Sequence, residues 1–128
     1  LVVLLVEDDP LIRASTSDML QEAGYLVVDA ASAEDALVAL QTSGVDVLVT
    51  DVNLPSMGGP DLADRAREIR PEIGVVFATG DQHVPGVEGA PRTAVLSKPY
   101  DAQELTRTVA KVVASAVPAA KPAALLDE

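Results

Sequence analysis

Several residue types that carry chemistry are missing or scarce in this chain. Cysteine and tryptophan are absent, and there is a single histidine. The lack of cysteine excludes thiol catalysis, disulfides and cysteine-ligated zinc, and it suits a reducing compartment such as the cytoplasm, where we expect the protein to be. No apolar run approaches the ~20 residues that span a bilayer, so we expect no membrane insertion.

Positive charge is scarce as well. The chain has 20 acidic residues against 9 lysine and arginine residues, and its formal net charge is -11. Clustered cations are needed to bind a phosphate backbone, so we expect no direct nucleic-acid binding. Hydrophobic residues make up 48% of the 128 positions, enough for one domain with a substantial core. Because the chain begins at Leu1 rather than Met, we expect a trimmed chain or a domain of a longer one.

Short apolar runs alternate with segments of helical periodicity. Helix start signals, such as Asp9-Pro10 and Asp101 with Glu104, separate the runs. This alternation predicts an α/β fold, a flavodoxin-like, doubly wound parallel sheet of five strands in the order 2-1-3-4-5. The runs that predict the strands are Val2–Val6, Tyr25–Ala30, Val45–Thr50, Val75–Ala78 and Thr93–Leu96.

Two segments depart from this alternation. Pro85 and Pro91, with two glycines, interrupt the segment from Gln82 to Arg92. Because a proline inside a helix costs ~3 kcal/mol, the helix between the fourth and fifth strands is expected to be shortened or missing. Residues 118–128 are rich in Ala and Pro and are predicted to be a tail or linker after a domain spanning residues 1–117.

Acidic residues follow two of the predicted strands. Glu7 and Asp8 come after the first strand, and Asp51 comes at the end of the third. Strands 1 and 3 are neighbours in the predicted order, so the three carboxylates should converge at the carboxyl edge of the sheet, where such folds bind ligands. Like charges ~4 Å apart repel by about 4 kcal/mol at a surface-like dielectric, so a cation is expected among them. A few hard oxygen ligands favour Mg2+ over zinc or copper.

The same edge offers groups for phosphoryl chemistry. A carboxylate beside magnesium can attack phosphorus, and aspartyl phosphates are known covalent intermediates. Lys98, after the fifth strand, would supply a positive charge, and Thr79, after the fourth, a hydroxyl donor. These residues predict phosphoryl transfer onto Asp51.

Four motifs, each at the end of a predicted strand, together resemble the receiver domain of two-component response regulators. The resemblance extends from Val2 to Val117 and includes a subgroup common in alphaproteobacteria, found as single-domain regulators and as receivers of hybrid histidine kinases. The motifs are Val6-Glu-Asp-Asp-Pro10, Asp51-x-x-x-Pro55-x-Met57-x-Gly59, Phe77-Ala-Thr79-Gly and Lys98-Pro99.

The resemblance implies a magnesium-dependent phosphoacceptor site. Asp51 would accept a phosphoryl group from the phosphohistidine of a histidine kinase or a histidine phosphotransfer protein. Asp8 would bind Mg2+ directly, Glu7 mainly through water, and Asn53 through its backbone carbonyl. The domain would phosphorylate and dephosphorylate itself without turning over a diffusible substrate, so we do not class it as an enzyme. Its output would pass to a protein partner or to another domain of a parent chain, which could itself be a hybrid histidine kinase.

The resemblance also implies roles around the phosphoryl group. Thr79 would be the switch hydroxyl, and Lys98 would pair with a phosphoryl oxygen next to a Lys98–Pro99 bond that is typically cis in the family. Asp81 lies at a position that tunes the phosphoryl lifetime, and we expect a short-lived adduct. Val95 stands where the family usually has Tyr or Phe, so the usual relay from Thr79 to an aromatic side chain is expected to be altered.

Three other functions fit parts of the pattern. Val95 and the interrupted helix would suit an interaction module that signals without phosphorylation, whereas the intact acidic residues favour phosphorylation. A haloacid-dehalogenase-type phosphotransferase needs a second Asp two residues after the nucleophile, where this chain has Asn53, and usually a cap domain, for which there is no room. A flavodoxin-like cofactor binder needs small or hydroxyl residues after strand 1, where Glu7 and Asp8 would repel a phosphate.

Overall fold

The computed structural model of the chain describes residues 1–54, 57–80 and 92–116. The strands form one parallel sheet in the order β2-β1-β3-β4-β5, which confirms the predicted fold class. Asp81, most of the interrupted segment and the predicted tail lie outside the described residues. The elements in chain order are β1 Val2–Val6, α1 Pro10–Glu22, β2 Leu26–Ala30, α2 Ala33–Thr42, β3 Val47–Asp51, α3 Gly59–Ile69, β4 Gly74–Thr79, β5 Thr93–Ser97 and α4 Ala102–Ala116.

Side-chain caps start three of the helices. The Asp9 carboxylate accepts hydrogen bonds from two backbone N–H groups of the first turn of α1, and Pro10 occupies a position that needs no N–H. The hydroxyl of Ser32 caps α2 in the same way. At α4 the capping box is reciprocal: Glu104 N donates to Asp101 Oδ1 at 2.8 Å, and Asp101 N donates to Glu104 Oε1 at 3.2 Å. These caps fix where the chain leaves the carboxyl edge of the sheet.

The core lies on both faces of the sheet. Helices α2 and α3 cover one face, and α1 and α4 cover the other. The central strands β1, β3 and β4 are buried almost throughout, as parallel strands covered on both sides should be. Ile12 and Ile69 are 38% and 41% exposed, and each lies in a terminal turn of its helix. No helix in the described part of the chain combines the length and apolarity needed to cross a membrane.

Gly59 begins α3 at a point where the helix meets the end of β3. A Cβ on Gly59 would lie 2.5 Å from the backbone oxygen of Asp51 and 3.0 Å from Cα of Val52, whereas a Cβ on Gly58 would have no contact closer than 3.7 Å. We therefore expect Gly59→Ala to lower the free energy of unfolding by about 1–3 kcal/mol, as overpacking does. Gly58→Ala is the matched control and should cost less, about 0.5–1 kcal/mol, because Ala is a poorer helix N-cap than Gly. Urea denaturation of both variants measures this, and equal losses would contradict it.

Candidate functional site

Three carboxylates meet at the carboxyl edge of the sheet. Strands β1 and β3 are hydrogen-bonded neighbours in which Val6 is paired with Thr50, so the residues that follow leave the sheet side by side. One oxygen from each of Glu7, Asp8 and Asp51 lies within 4.8 Å of the other two. The structure thus brings together the three acidic residues that the sequence predicted to converge.

Lys98 reaches this cluster from the end of β5. Its Nζ lies 2.9 Å from Asp51 Oδ2 and 3.4 Å from Glu7 Oε1. Its backbone N donates to the carbonyl of Thr79 at 2.8 Å, and the Lys98–Pro99 peptide bond is cis. Burial acts to lower the pKa of Lys98, but the hydrogen bonds and charges of Asp51 and Glu7 outweigh it and raise that pKa. The ammonium therefore stays charged beside Asp51.

The pKa of Glu7 is raised by its surroundings in the cluster. Glu7 is 4% exposed, and burial raises its pKa, with the charge of Asp51 adding to the effect. A hydrogen bond from Asp9 N and the charge of Lys98 act in the opposite direction and do not cancel it. Among the described residues, the ammonium of Lys98 pairs with two of the three carboxylates, those of Asp51 and Glu7. A cluster of carboxylate oxygens at a partly exposed edge fits Mg2+, which takes one or two carboxylates and keeps several waters.

Of the remaining predicted site residues that the structure describes, Thr79 and Asn53 lie at the same edge, and Val95 lies within β5. Thr79 ends β4 and is buried, one residue beyond the Ala78 that pairs with Asp51. The backbone N of Asn53 donates to Asp51 Oδ1 at 3.2 Å, so the loop after β3 folds back onto the carboxylate. Val95 lies on β5 opposite Phe77 and is 37% exposed, so it offers an aliphatic surface at the position where the resemblance implies an aromatic ring.

A groove beside the acidic cluster was not predicted from the sequence. It has a volume of about 520 Å3 and lies between α1 and the segment from Lys98 to Tyr100. Within it, the hydroxyls of Tyr100 and Thr16 share a hydrogen bond of 2.8 Å. The sequence carried one signal of this contact, the helical spacing that places Thr16 on the inner side of α1. Nothing in it paired Thr16 with Tyr100.

The pKa of the Tyr100 phenol is raised in the folded protein, and this shift can be measured. Burial raises the pKa of its phenol above the usual 10.0, and the charges of Glu7 and Asp51 add to the rise against opposing effects of Thr16 and Lys98. The folded protein thus holds the phenol proton more tightly than the unfolded chain does. This contribution to stability is complete below pH 10.0 and is lost as the pH rises through the raised pKa of Tyr100. In Tyr25→Phe, Tyr100 is the sole tyrosine. We expect its phenolate absorbance to appear with a midpoint at a higher pH in the folded protein than in the urea-unfolded chain. A midpoint at the same or a lower pH would contradict the prediction.

Known proteins resemble this chain in sequence and in fold. The response regulator receiver domain matches residues 3–110. Response regulator receiver protein CpdR of Brucella abortus (strain 2308) is 37% identical over 118 residues, covering 89% of this chain and 98% of CpdR. Sensor kinase CckA of the same organism is 34% identical over 116 residues, which are 87% of this chain but 12% of the kinase. The crystal structure of response regulator protein TrrA from Thermotoga maritima, in complex with Mg(2+)-BeF, superposes with a TM-score of 0.76 at 25% identity, covering 87% of this chain and 97% of TrrA. The chain belongs to the family of response regulator receiver domains.

Proposed function

We propose that this receiver domain is a phosphoacceptor in which Asp51 takes a phosphoryl group from a phosphohistidine in a magnesium-dependent reaction. One observation carries the proposal: Asp51 is held between a pair of acidic residues and the ammonium of Lys98. Its side chain is 14% exposed, so an incoming phosphoryl group can reach it. Two-component receivers are regulatory domains rather than classical enzymes, and the proposal keeps that class.

The chemistry follows from the positions of these groups. A carboxylate oxygen of Asp51 attacks phosphorus, the P–N bond to the donor imidazole breaks, and the imidazole nitrogen keeps the electron pair. Lys98 neutralises charge on the phosphoryl oxygens, and the hydroxyl of Thr79 donates to one of them. Bound magnesium would neutralise further charge on those oxygens and would be held by the carboxylates of Glu7, Asp8 and Asp51 with the carbonyl of Asn53.

Loss of the phosphoryl group completes the switch. A water attacks phosphorus, the P–O bond to Asp51 breaks with its electron pair staying on the carboxylate, and inorganic phosphate leaves with the oxygen and both hydrogens of the water. We propose that Asp81 shortens the phosphoryl lifetime by helping to hold this water. Asp81→Ala should then slow the decay of the adduct, and an unchanged rate would count against that role.

The partners and setting in this proposal come from the family. The donor is a histidine kinase or a histidine phosphotransfer protein, the output is a protein partner or another domain of a parent chain, and the location is the cytoplasm. CpdR is matched over 98% of its length and CckA over 12%, so similar domains occur both alone and within a sensor kinase. We propose residues 1–117 as the receiver domain and 118–128 as the tail. We propose that the domain does not bind nucleic acid directly, because its net charge of -11 would repel a phosphate backbone.

The proposal is tested by intact-mass spectrometry. The protein is incubated with acetyl phosphate in the presence of Mg2+, and in parallel with a chelator in place of the metal. We expect one phosphoryl adduct that needs the metal. If no adduct forms even when a cognate kinase is supplied, the function is instead that of a phosphorylation-independent interaction module, which the exposed Val95 would suit.

A further inference from the structure

One short segment belongs both to the acidic cluster and to the groove. At its start, the Nζ of Lys98 lies 2.9 Å from Asp51 Oδ2. Two residues later, the hydroxyl of Tyr100 reaches α1 and lies 2.8 Å from Oγ1 of Thr16. Thr16 is 1% exposed and belongs to the buried side of α1. A movement of the segment from Lys98 to Tyr100 would therefore change the cluster and the groove together.

This segment is held at its two ends and at one point between them. At its start, Lys98 N is bonded to the carbonyl of Thr79. At its end, the capping box of Asp101 and Glu104 begins α4. Between these ends, the hydrogen bond from Tyr100 to Thr16 joins the segment to α1, the helix that follows Glu7 and Asp8. The Tyr100 ring is close enough to the cluster for the charges of Glu7, Lys98 and Asp51 to act on its phenol.

We propose that Tyr100, anchored by Thr16, is a positioning residue for Lys98. Their hydrogen bond fixes the segment so that the Lys98 ammonium stands where phosphoryl charge develops. Small displacements of such groups are costly because the rate depends on their placement. The inference rests on the proposed function and deepens it, because it names a contact that regulates the same site.

The test removes the hydrogen bond from either side. Tyr100→Phe deletes one hydroxyl, and Thr16→Val deletes the other while keeping the branched shape. Each variant should be phosphorylated by acetyl phosphate and Mg2+ about threefold to tenfold more slowly than wild type, the range that one hydrogen bond corresponds to. Thr16→Ser keeps the hydroxyl and removes only the methyl group, so this variant should react at nearly the wild-type rate.

Tyr25→Phe is the matched control. Tyr25 is a half-buried tyrosine that packs against the same core cluster as Tyr100, on the face covered by α1 and α4. Its substitution deletes the same hydroxyl group at a position outside the segment, so the rate should not change. All rates are measured at a temperature well below the unfolding midpoint of every variant, so a loss of stability alone does not lower the rate.

The double variant Tyr100→Phe/Thr16→Val decides between a shared contact and two separate effects. If the bond does the positioning, the double variant should react no more slowly than the slower single variant. Rate losses that multiply would overturn the inference, as would single variants that lose stability but react at the wild-type rate. A slow Thr16→Ser would overturn it too, since the hydroxyl would then not be what matters. If the wild type forms no adduct, the proposed function fails and the inference falls with it, which is a different result from an adduct formed at equal rates by all variants.

Discussion

Asp51→Asn is expected to abolish the phosphoryl adduct. The amide has nearly the same shape as the carboxylate but is not a nucleophile towards phosphorus, so the substitution removes the reacting atom and keeps the packing. It also removes the negative charge that Lys98 faces at 2.9 Å and one of the three carboxylates in the cluster. The measurement is intact-mass spectrometry after incubation with acetyl phosphate and Mg2+, with wild type giving one adduct and the variant none.

The control for this prediction is Asp64→Asn. Asp64 is an exposed acidic residue on α3, so its substitution makes the same chemical change and the same change in net charge away from the edge. We expect it to be phosphorylated like the wild type. An adduct that persisted in Asp51→Asn would place the nucleophile on another residue, and peptide mapping would identify it.

The sheet and the convergence of the acidic residues were predictable because both depend on short-range patterns. Fully apolar runs are typical of parallel strands buried on both faces, and one doubly wound order places strands 1 and 3 side by side. Once Val6 and Thr50 are partners, Glu7, Asp8 and Asp51 must be neighbours. The cis bond before Pro99 came from the resemblance, and the structure has it.

Contacts between distant side chains were not predictable. Thr16 and Tyr100 are 84 residues apart, and their bond depends on how α1 packs against the segment that leads into α4. The start of β3 was also misplaced. The sequence predicted a strand from Val45, but β3 begins at Val47, after a bend at Asp46 whose carboxylate accepts a hydrogen bond from Val2 N at 2.8 Å. Apolarity alone does not reveal such a side-chain to backbone bond.

Asp8→Asn is expected to weaken Mg2+ binding at least ~10-fold, since even residues behind the ligands typically change metal affinity 10–100-fold. A ligand that binds only the folded state stabilises it according to its concentration relative to Kd, so a ~10-fold weaker site gives up about 1.4 kcal/mol of metal-dependent stability at saturation. Titration calorimetry measures the affinity, and urea unfolding at several Mg2+ concentrations measures the linked stability.

The neighbouring residue supplies the control that separates ligation from net charge. Asp9 caps α1 rather than joining the cluster, and Asn is an equally good cap, so Asp9→Asn should keep both the fold and the wild-type response to Mg2+. In the absence of metal, Asp8→Asn should be at least as stable as wild type, because it removes repulsion among like charges, by a small amount since Asp8 is exposed. A wild-type response to Mg2+ in Asp8→Asn would remove Asp8 from the metal site. If Asp9→Asn lost as much Mg2+ affinity as Asp8→Asn, binding would depend on the total negative charge of this edge. The three-carboxylate cluster would then not be the ligand set.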